Sequence, residues 1–133
     1  MSLDLSEAFG SNEKAEIAGV WIPLGSGAEI RIARLGNPEA QRAYRTLPVR
    51  IRRSIEQGLL DEKESLDFLN NFIITNIIKD WKGLVDGGKV MKFSTENALK
   101  MLKKHRRFRD RIWELANDDE IFNVDELEED SKN

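Results

Sequence analysis

The chain has 133 residues, a formal net charge of −3, no cysteine and one histidine. Hydrophobic residues make up 40% of it and charged residues 34%, which predicts one well-solvated domain with a real core. The lack of cysteine excludes disulfide scaffolds, thiol catalysis and cysteine-ligated metal centres in this chain, and a single histidine excludes a site with two imidazoles.

The charge is unevenly distributed along the chain. Residues 30–55 contain seven arginines and one glutamate, a net charge of +6, and residues 100–111 also carry +6. Residues 1–17 carry −3 and residues 112–133 carry −8. Two basic segments are therefore flanked by acidic ends, which favours electrostatic contacts between copies or with a partner.

The N-terminal quarter predicts an acidic flexible arm followed by a β-hairpin. Residues 1–17 are polar, acidic and without a clear period, which is typical of a loosely held arm. An apolar run at 20–22 and alternating residues at 28–35 flank a turn at Gly25–Gly27. We therefore expect a small hairpin at about residues 19–35.

Two short helices are predicted next. Residues 37–39, Asn-Pro-Glu, supply a capping side chain, a proline at the first helical position and an acid in the first turn, so a helix is expected to run to about Arg45. Pro48 forces a break. The second helix, at about residues 48–57, is expected to end at Gly58.

The longest predicted helix spans residues 61–82. An acid three positions after Asp61 resembles a capping box, and apolar side chains recur along a broad arc as far as Trp81. Such an arc is typical of a central helix that packs on more than one side. Gly83 is expected to end this helix.

The rest of the chain predicts a hairpin-like loop and three more helices. The loop covers residues 84–93, and Ser94 caps the following helix, which is expected to break near His105. A helix at about 108–116 comes next, and residues 117–119 can cap a last short helix.

These elements together predict a mainly α fold. We expect a single helical domain of five to six helices at residues 18–127, including the small N-terminal β-hairpin. The acidic arm at 1–17 precedes the domain, and an acidic C-terminal tail at 128–133, which is expected to fray, follows it. The most apolar stretch, residues 66–81, carries too many polar side chains for a membrane span, so we expect a soluble intracellular protein.

No set of residues in the sequence predicts a catalytic or metal site. His105 lies among lysines and arginines, with no carboxylate or thiol at helical spacing, which is typical of a surface histidine. The acids at 118–120 suit a helix start, and the loop at 86–88 lacks the later ligands of a calcium site. We therefore expect no enzyme activity, no cofactor and no metal.

The two basic segments are the candidate binding surfaces. Their charges could pair with the chain's own acids, contact another copy or a partner protein, or bind nucleic acid. We favour the protein contacts over nucleic acid, because DNA-binding proteins are usually basic overall and this chain is not. The candidate partner-binding residues are Arg42, Arg45, Arg50, Arg52, Arg53, Lys103, Lys104 and Arg107.

Residues 81–102, WKGLVDGGKVMKFSTENALKML, resemble the tail assembly chaperones of long-tailed, lambda-like bacteriophages. In that family a helix ends in a tryptophan, a W-x-G turn and a D-G loop follow, and the next helix starts with F-S/T-x-E-N-A. The motif residues here are Trp81, Gly83, Asp86, Gly87, Phe93, Ser94, Glu96 and Ala98. We interpret them as structural, with Trp81 and Phe93 packed together across the loop.

The resemblance implies a protein without catalysis that binds the tape measure protein, keeps it soluble and helps recruit tail tube subunits. Such chaperones act in the host cell cytoplasm and are absent from the mature virion. The uneven charge further predicts a homo-oligomer in which a basic face meets an acidic end. The alternative is a small nucleic-acid-binding or regulatory protein that uses the basic segments.

Overall fold

A three-stranded antiparallel sheet and a set of short helices share one hydrophobic core in the computed structural model, which describes residues 1–10, 13–58 and 63–122. The strands of this sheet are β1 (Val20–Gly25), β2 (Ala28–Ile32) and β3 (Ile78–Lys82), in that spatial order. A separate two-stranded hairpin consists of β4 (Val85–Asp86) and β5 (Lys89–Val90).

The described residues also form seven α-helices and one 3₁₀ helix. The helices are α1 (Leu5–Phe9), α2 (Glu13–Ala18), α3 (Pro38–Arg45), α4 (Val49–Gln57), α5 (Lys63–Asn76), α6 (Thr95–Lys104), α7 (Arg106–Ala116) and the 3₁₀ helix Asp119–Phe122. None of these helices is long and apolar enough to cross a membrane.

The prediction of a mainly α fold with only an N-terminal hairpin is wrong, because the fold mixes helices with two antiparallel sheets. The helix predicted at 61–82 ends at Asn76, and the chain continues as β3, which pairs with β2. Strands β2 and β3, which are 50 residues apart in sequence, therefore lie side by side.

A β-bulge explains why β3 looks helical in the sequence. Ile78 and Trp81 are both buried, and their spacing of three is that of a helix face. In a regular strand this odd spacing would place them on opposite faces. The register shift in the pairing of β3 with β2 inserts one extra residue, so that Ile78 lies opposite Ile32 and Trp81 opposite Ile30.

The core lies between this sheet and the helices. Ile30 and Ile32 of β2 are fully buried, in one cluster with Ile73 of α5, Leu102 of α6 and Ile112 of α7. Burial of such side chains stabilises a fold by about 1.5–3 kcal/mol each. Both strands of the predicted β1–β2 hairpin and the three longest helices therefore contribute side chains to the core.

Several predicted helix boundaries are confirmed, whereas Gly83 does not end a helix and Asp61 of the predicted capping box lies outside the described residues. The Asn37 side chain accepts a hydrogen bond from the amide of Ala40 at 2.9 Å, and Ser94 accepts one from Asn97 at 3.0 Å. Gly58 ends α4 with a φ of +70°. The hairpins, the break at His105 and the short helix after residue 117 are also present, whereas the predicted acidic tail at 128–133 lies outside the described residues.

The segment predicted as an acidic arm contains α1 and α2. The side chains of α1 are exposed, whereas Glu16 of α2 is buried. Arg34 holds α2 in place, since its guanidinium lies 3.4 Å from the Glu16 carboxylate and its amide donates to the Glu16 carbonyl oxygen at 2.8 Å.

Candidate partner-binding grooves

The motif segment folds into a closed unit around Trp81. The rings of Trp81 and Phe93 meet edge to face with centroids 5.2 Å apart, which confirms the predicted contact across the loop. The Trp81 indole N–H donates to the carbonyl oxygen of Met91 at 2.7 Å. Gly83 has a φ of +73°, and Ala98 is fully buried. The segment therefore positions the β4–β5 hairpin against α6.

The hairpin is fixed to the end of α6 by one carboxylate. Asp86 accepts hydrogen bonds from Nζ of Lys104 at 2.6 Å and from Nε2 of His105 at 2.8 Å. The Lys104 hydrogen bond, followed by that of His105, lowers the pKa of the Asp86 carboxyl. The sequence indicated no carboxylate partner for His105, because the partner lies 19 residues away on another element.

An apolar depression of about 370 Å³ lies between this hairpin and α7, and we call it the hairpin groove. Val85 and Val90 at the hairpin are largely exposed. The lining residues are Leu84, Val85, Asp86, Met91, Met101, His105, Arg107 and Phe108. Two methionines make such a surface adaptable to different side chains.

A second depression, of about 410 Å³, lies between α3, α4 and α7, and we call it the aromatic groove. The ring of Phe72 contacts both Tyr44, with centroids 5.7 Å apart, and Trp113, with centroids 6.2 Å apart. The lining residues are Leu35, Gln41, Tyr44, Arg45, Ile55, Glu56, Trp113 and Asn117. A concave apolar surface with a few polar groups at its rim is typical of a binding site.

The polar rim of the aromatic groove is partly fixed by an internal hydrogen bond. The Tyr44 hydroxyl lies 3.2 Å from the Glu56 carboxylate and donates to it. Burial, together with the negative charge of Glu56, raises the pKa of Tyr44. Tyr44 is therefore a hydrogen-bond donor at neutral pH, while Arg45 beside it remains an exposed cation.

A smaller cavity of about 270 Å³, which shares Ile55 and Trp113 with the aromatic groove, is lined by a buried arginine. Arg109 is only 6% exposed, and its contact with Asp110 is long, at 3.5 Å. The buried Nε of Arg109 has no acceptor among the described residues, and the same holds for Nε of Arg52. Buried donors without partners are uncommon, because each costs the fold the desolvation of a polar group.

The predicted basic residues do not form one surface. Arg45 lines the aromatic groove, whereas Arg107 lines the hairpin groove. Arg50 pairs with both carboxylate oxygens of Glu64, and Lys104 pairs with Asp86. Of the remaining predicted residues, Arg52 is half-buried, and the exposed ones are Arg42, Arg53 and Lys103.

The structure gives the acids near the end of α7 a structural role. The Asp119 carboxylate lies 2.8 Å from the guanidinium of Arg34. This ion pair links the 3₁₀ helix to the segment that follows β2. The described residues contain no group of three or more His, Cys, Asp or Glu side chains that could hold a metal ion.

Sequence reasoning missed the apolar part of the aromatic groove. Neither Tyr44 nor Trp113 is among the predicted partner-binding residues, although both are half-buried and line this groove. The sequence does contain a signal for this groove, because α3 and α7 are both strongly basic and both carry aromatic residues. Aromatic and arginine side chains often contribute most of the binding energy of an interface. Their meeting across Phe72 depends on how α3, α5 and α7 pack.

The model of the YdaY prophage protein family matches residues 35–133 of the chain. The matched region contains every residue that lines the two grooves, while α1, α2 and the β1–β2 hairpin precede it. No curated protein and no solved structure matches the chain.

Proposed function

Because the chain belongs to the YdaY family of prophage proteins, we propose that it assists the assembly of a bacteriophage tail as a chaperone without catalytic activity. It binds the tape measure protein, keeps it soluble and helps recruit tail tube subunits. It acts in the host cell cytoplasm and is absent from the mature virion. Support comes from the phage origin of the family and from the tail-chaperone-like motif at 81–102, which folds as a closed unit.

The aromatic groove is the single observation that carries this proposal. A tape measure protein is long and helical, and it exposes apolar seams until the tail tube covers it. A groove with a floor of Tyr44, Ile55 and Trp113 suits the apolar face of such a helix. Arg45 at the rim favours an acidic side chain beside the seam.

Many weak contacts are sufficient for this role. A single groove of this size binds only a few side chains, so one copy has modest affinity. Copies arranged along a repetitive helix gain by avidity, because each bound copy covers a part of the seam.

The test is co-expression with the tape measure protein of the same prophage, with the soluble fraction of that protein measured. We expect it to be soluble with the wild-type chain and to lose most of its solubility with Arg45→Glu. Arg42→Glu is the matched control, because Arg42 is exposed one turn earlier on α3 and does not line the groove. Solubility that is the same with and without this chain would contradict the proposal.

Nucleic-acid binding is the second candidate function. Three exposed arginines on α3 and α4 favour it, because Arg42, Arg45 and Arg53 form no ion pair with any described residue. A filter-binding assay with duplex DNA at 50 mM and 200 mM salt separates the two functions. Tight binding that falls about 1,000-fold over this salt range would favour nucleic acid over the chaperone role.

A further inference from the structure

The N-terminal arm exposes an apolar surface that nothing in the described structure covers. Leu5 is 69% exposed and Phe9 is 74% exposed, and both lie on one face of α1 because they are four residues apart. Leu3 and Met1, which precede α1, are exposed as well. Four of the seven large exposed hydrophobic residues in the described part of the chain thus fall within its first nine positions. A short segment that exposes so many apolar side chains is typical of an interaction site.

The arm is also acidic. Residues 1–10 contain Asp4 and Glu7 and no lysine or arginine. The Asp4 side chain caps α1 by accepting from the amides of Ser6 and Glu7, while the Glu7 carboxylate is exposed and forms no ion pair with any described residue. An amphipathic segment with apolar anchors at i and i+4 and a free acid fits a groove that is apolar inside and basic at its rim.

The aromatic groove is apolar inside, and its rim carries one cation, Arg45, and one acid, Glu56. Its floor offers Tyr44, Ile55 and Trp113, and Arg45 stands at the α3 side of its rim. Glu56, the acid on the α4 side, is already engaged by the Tyr44 hydroxyl. An acidic helix is therefore drawn to the α3 side, where Glu7 can meet Arg45.

We propose that α1 of one copy docks in the aromatic groove of a second copy, and that the exchange is reciprocal in a closed dimer. Within one chain, α1 is exposed while the groove is open, so the arm does not cover its own groove. In a closed dimer the arms of both copies are covered, whereas an open chain of copies leaves the arm at one end exposed. The arm would occupy the same groove that the proposed function assigns to the tape measure helix, so the two compete for it, and the tests below are made on the chain alone, where only this inference is measured.

The first test is the molar mass in solution, measured by light scattering coupled to size-exclusion chromatography across 1–100 µM protein. We expect a dimer for the wild type and at least a tenfold higher dissociation constant for Leu5→Ser/Phe9→Ser. The matched control is Val49→Ser/Val90→Ser, which removes two exposed side chains that line neither groove and leaves the dimer intact. A monomeric wild type, or a dimer that the arm variant does not weaken, overturns the proposal.

The arm variant tests association without the risk of misfolding. Leu5 and Phe9 contribute nothing to the core of the single chain, so its thermal unfolding measured on the diluted monomer is expected to match that of the wild type.

A charge exchange tests the position of the arm in the groove. Glu7→Lys and Arg45→Glu are each expected to weaken the dimer several-fold, and the combined variant to recover most of that loss. No recovery in the combined variant overturns this placement. A photoreactive residue at position 9 of a tagged copy should crosslink to α7 of an untagged copy, and crosslinking only within the same copy overturns the exchange.

Discussion

The indole N–H of Trp81 donates a hydrogen bond of 2.7 Å to the backbone carbonyl oxygen of Met91, so one side chain joins the end of β3 to the segment after the β4–β5 hairpin. The same ring packs edge to face on Phe93 and Phe108. Trp81 is therefore both a core residue, at 4% exposure, and the donor that closes the motif segment.

Two substitutions separate these roles of Trp81. Trp81→Phe keeps an aromatic ring but leaves the Met91 carbonyl without its donor, so we expect the free energy of unfolding to fall by about 1–3 kcal/mol. Trp81→Ala also removes the ring contacts and is expected to lower it by about 3–5 kcal/mol. Urea unfolding followed by circular dichroism measures both. Trp21→Phe, at a half-buried position on β1, is the control and should change stability by less than either variant.

Asp86 makes stability depend on acid pH. Its folded-state pKa is lowered, first by the hydrogen bond from Lys104, relative to the ordinary value of 3.8. A lowered carboxyl pKa contributes stability that is present above 3.8 and is lost as the pH falls through the folded-state pKa. We expect Asp86→Asn to be less stable than the wild type at pH 6, with a gap that narrows at pH 3.

Lys104→Gln provides the matched test of that prediction, because it removes the largest cause of the lowered Asp86 pKa and keeps the carboxylate. Its stability should fall less steeply than that of the wild type as the pH drops below 4. Urea unfolding at pH 6, 4 and 3 measures all three proteins. A gap between wild type and Asp86→Asn that stays constant over this range would contradict the assignment.

Two glycines of the motif differ in what they require. Gly87 has a φ of +56° and open space where a side chain would stand, so Gly87→Ala is expected to destabilise the fold by about 1 kcal/mol through backbone strain alone. At Gly83, where φ is +73°, an added Cβ would also lie 3.3 Å from the Cα of Ala28. Gly83→Ala should therefore lower the melting temperature more than Gly87→Ala. The reverse order would contradict the close approach of β2 to this turn.

The two helix caps predict different losses. Ser94 is exposed and caps α6 through one hydrogen bond, so Ser94→Ala is expected to lower the free energy of unfolding by about 1 kcal/mol. Asn37 is buried, caps α3 and donates to the Arg34 carbonyl oxygen. Asn37→Ala leaves that buried acceptor without its donor, so we expect a loss of about 2–3 kcal/mol in chemical denaturation. Asn37→Asp keeps a capping oxygen but puts a buried carboxylate oxygen against the Arg34 carbonyl oxygen, so it should lose at least as much as Asn37→Ala.

The sequence by itself determined the local boundaries. Asn37 and Pro38 start α3, Gly58 ends α4 and Ser94 starts α6, since each depends on backbone conformation and on hydrogen bonds within a few residues. The sequence also determined the β1–β2 hairpin, because its turn glycines lie directly between two strands that are adjacent in the chain. The sequence also indicated Arg45 and Arg107 as binding candidates, through the density of positive charge around them.

Only the tertiary structure decided what Ile78 to Lys82 form. The apolar spacing there fits a helix, and the strand prevails because β2 supplies backbone partners and a bulge places Ile78 and Trp81 on one face. Likewise, Tyr44 and Trp113 meet across Phe72, and Asp86 meets Lys104, only after distant elements pack. Local interactions fix the boundaries that a capping side chain or a turn glycine marks, whereas the end of α5, the type of an ambiguous apolar segment and the composition of a groove depend on contacts between residues far apart in sequence.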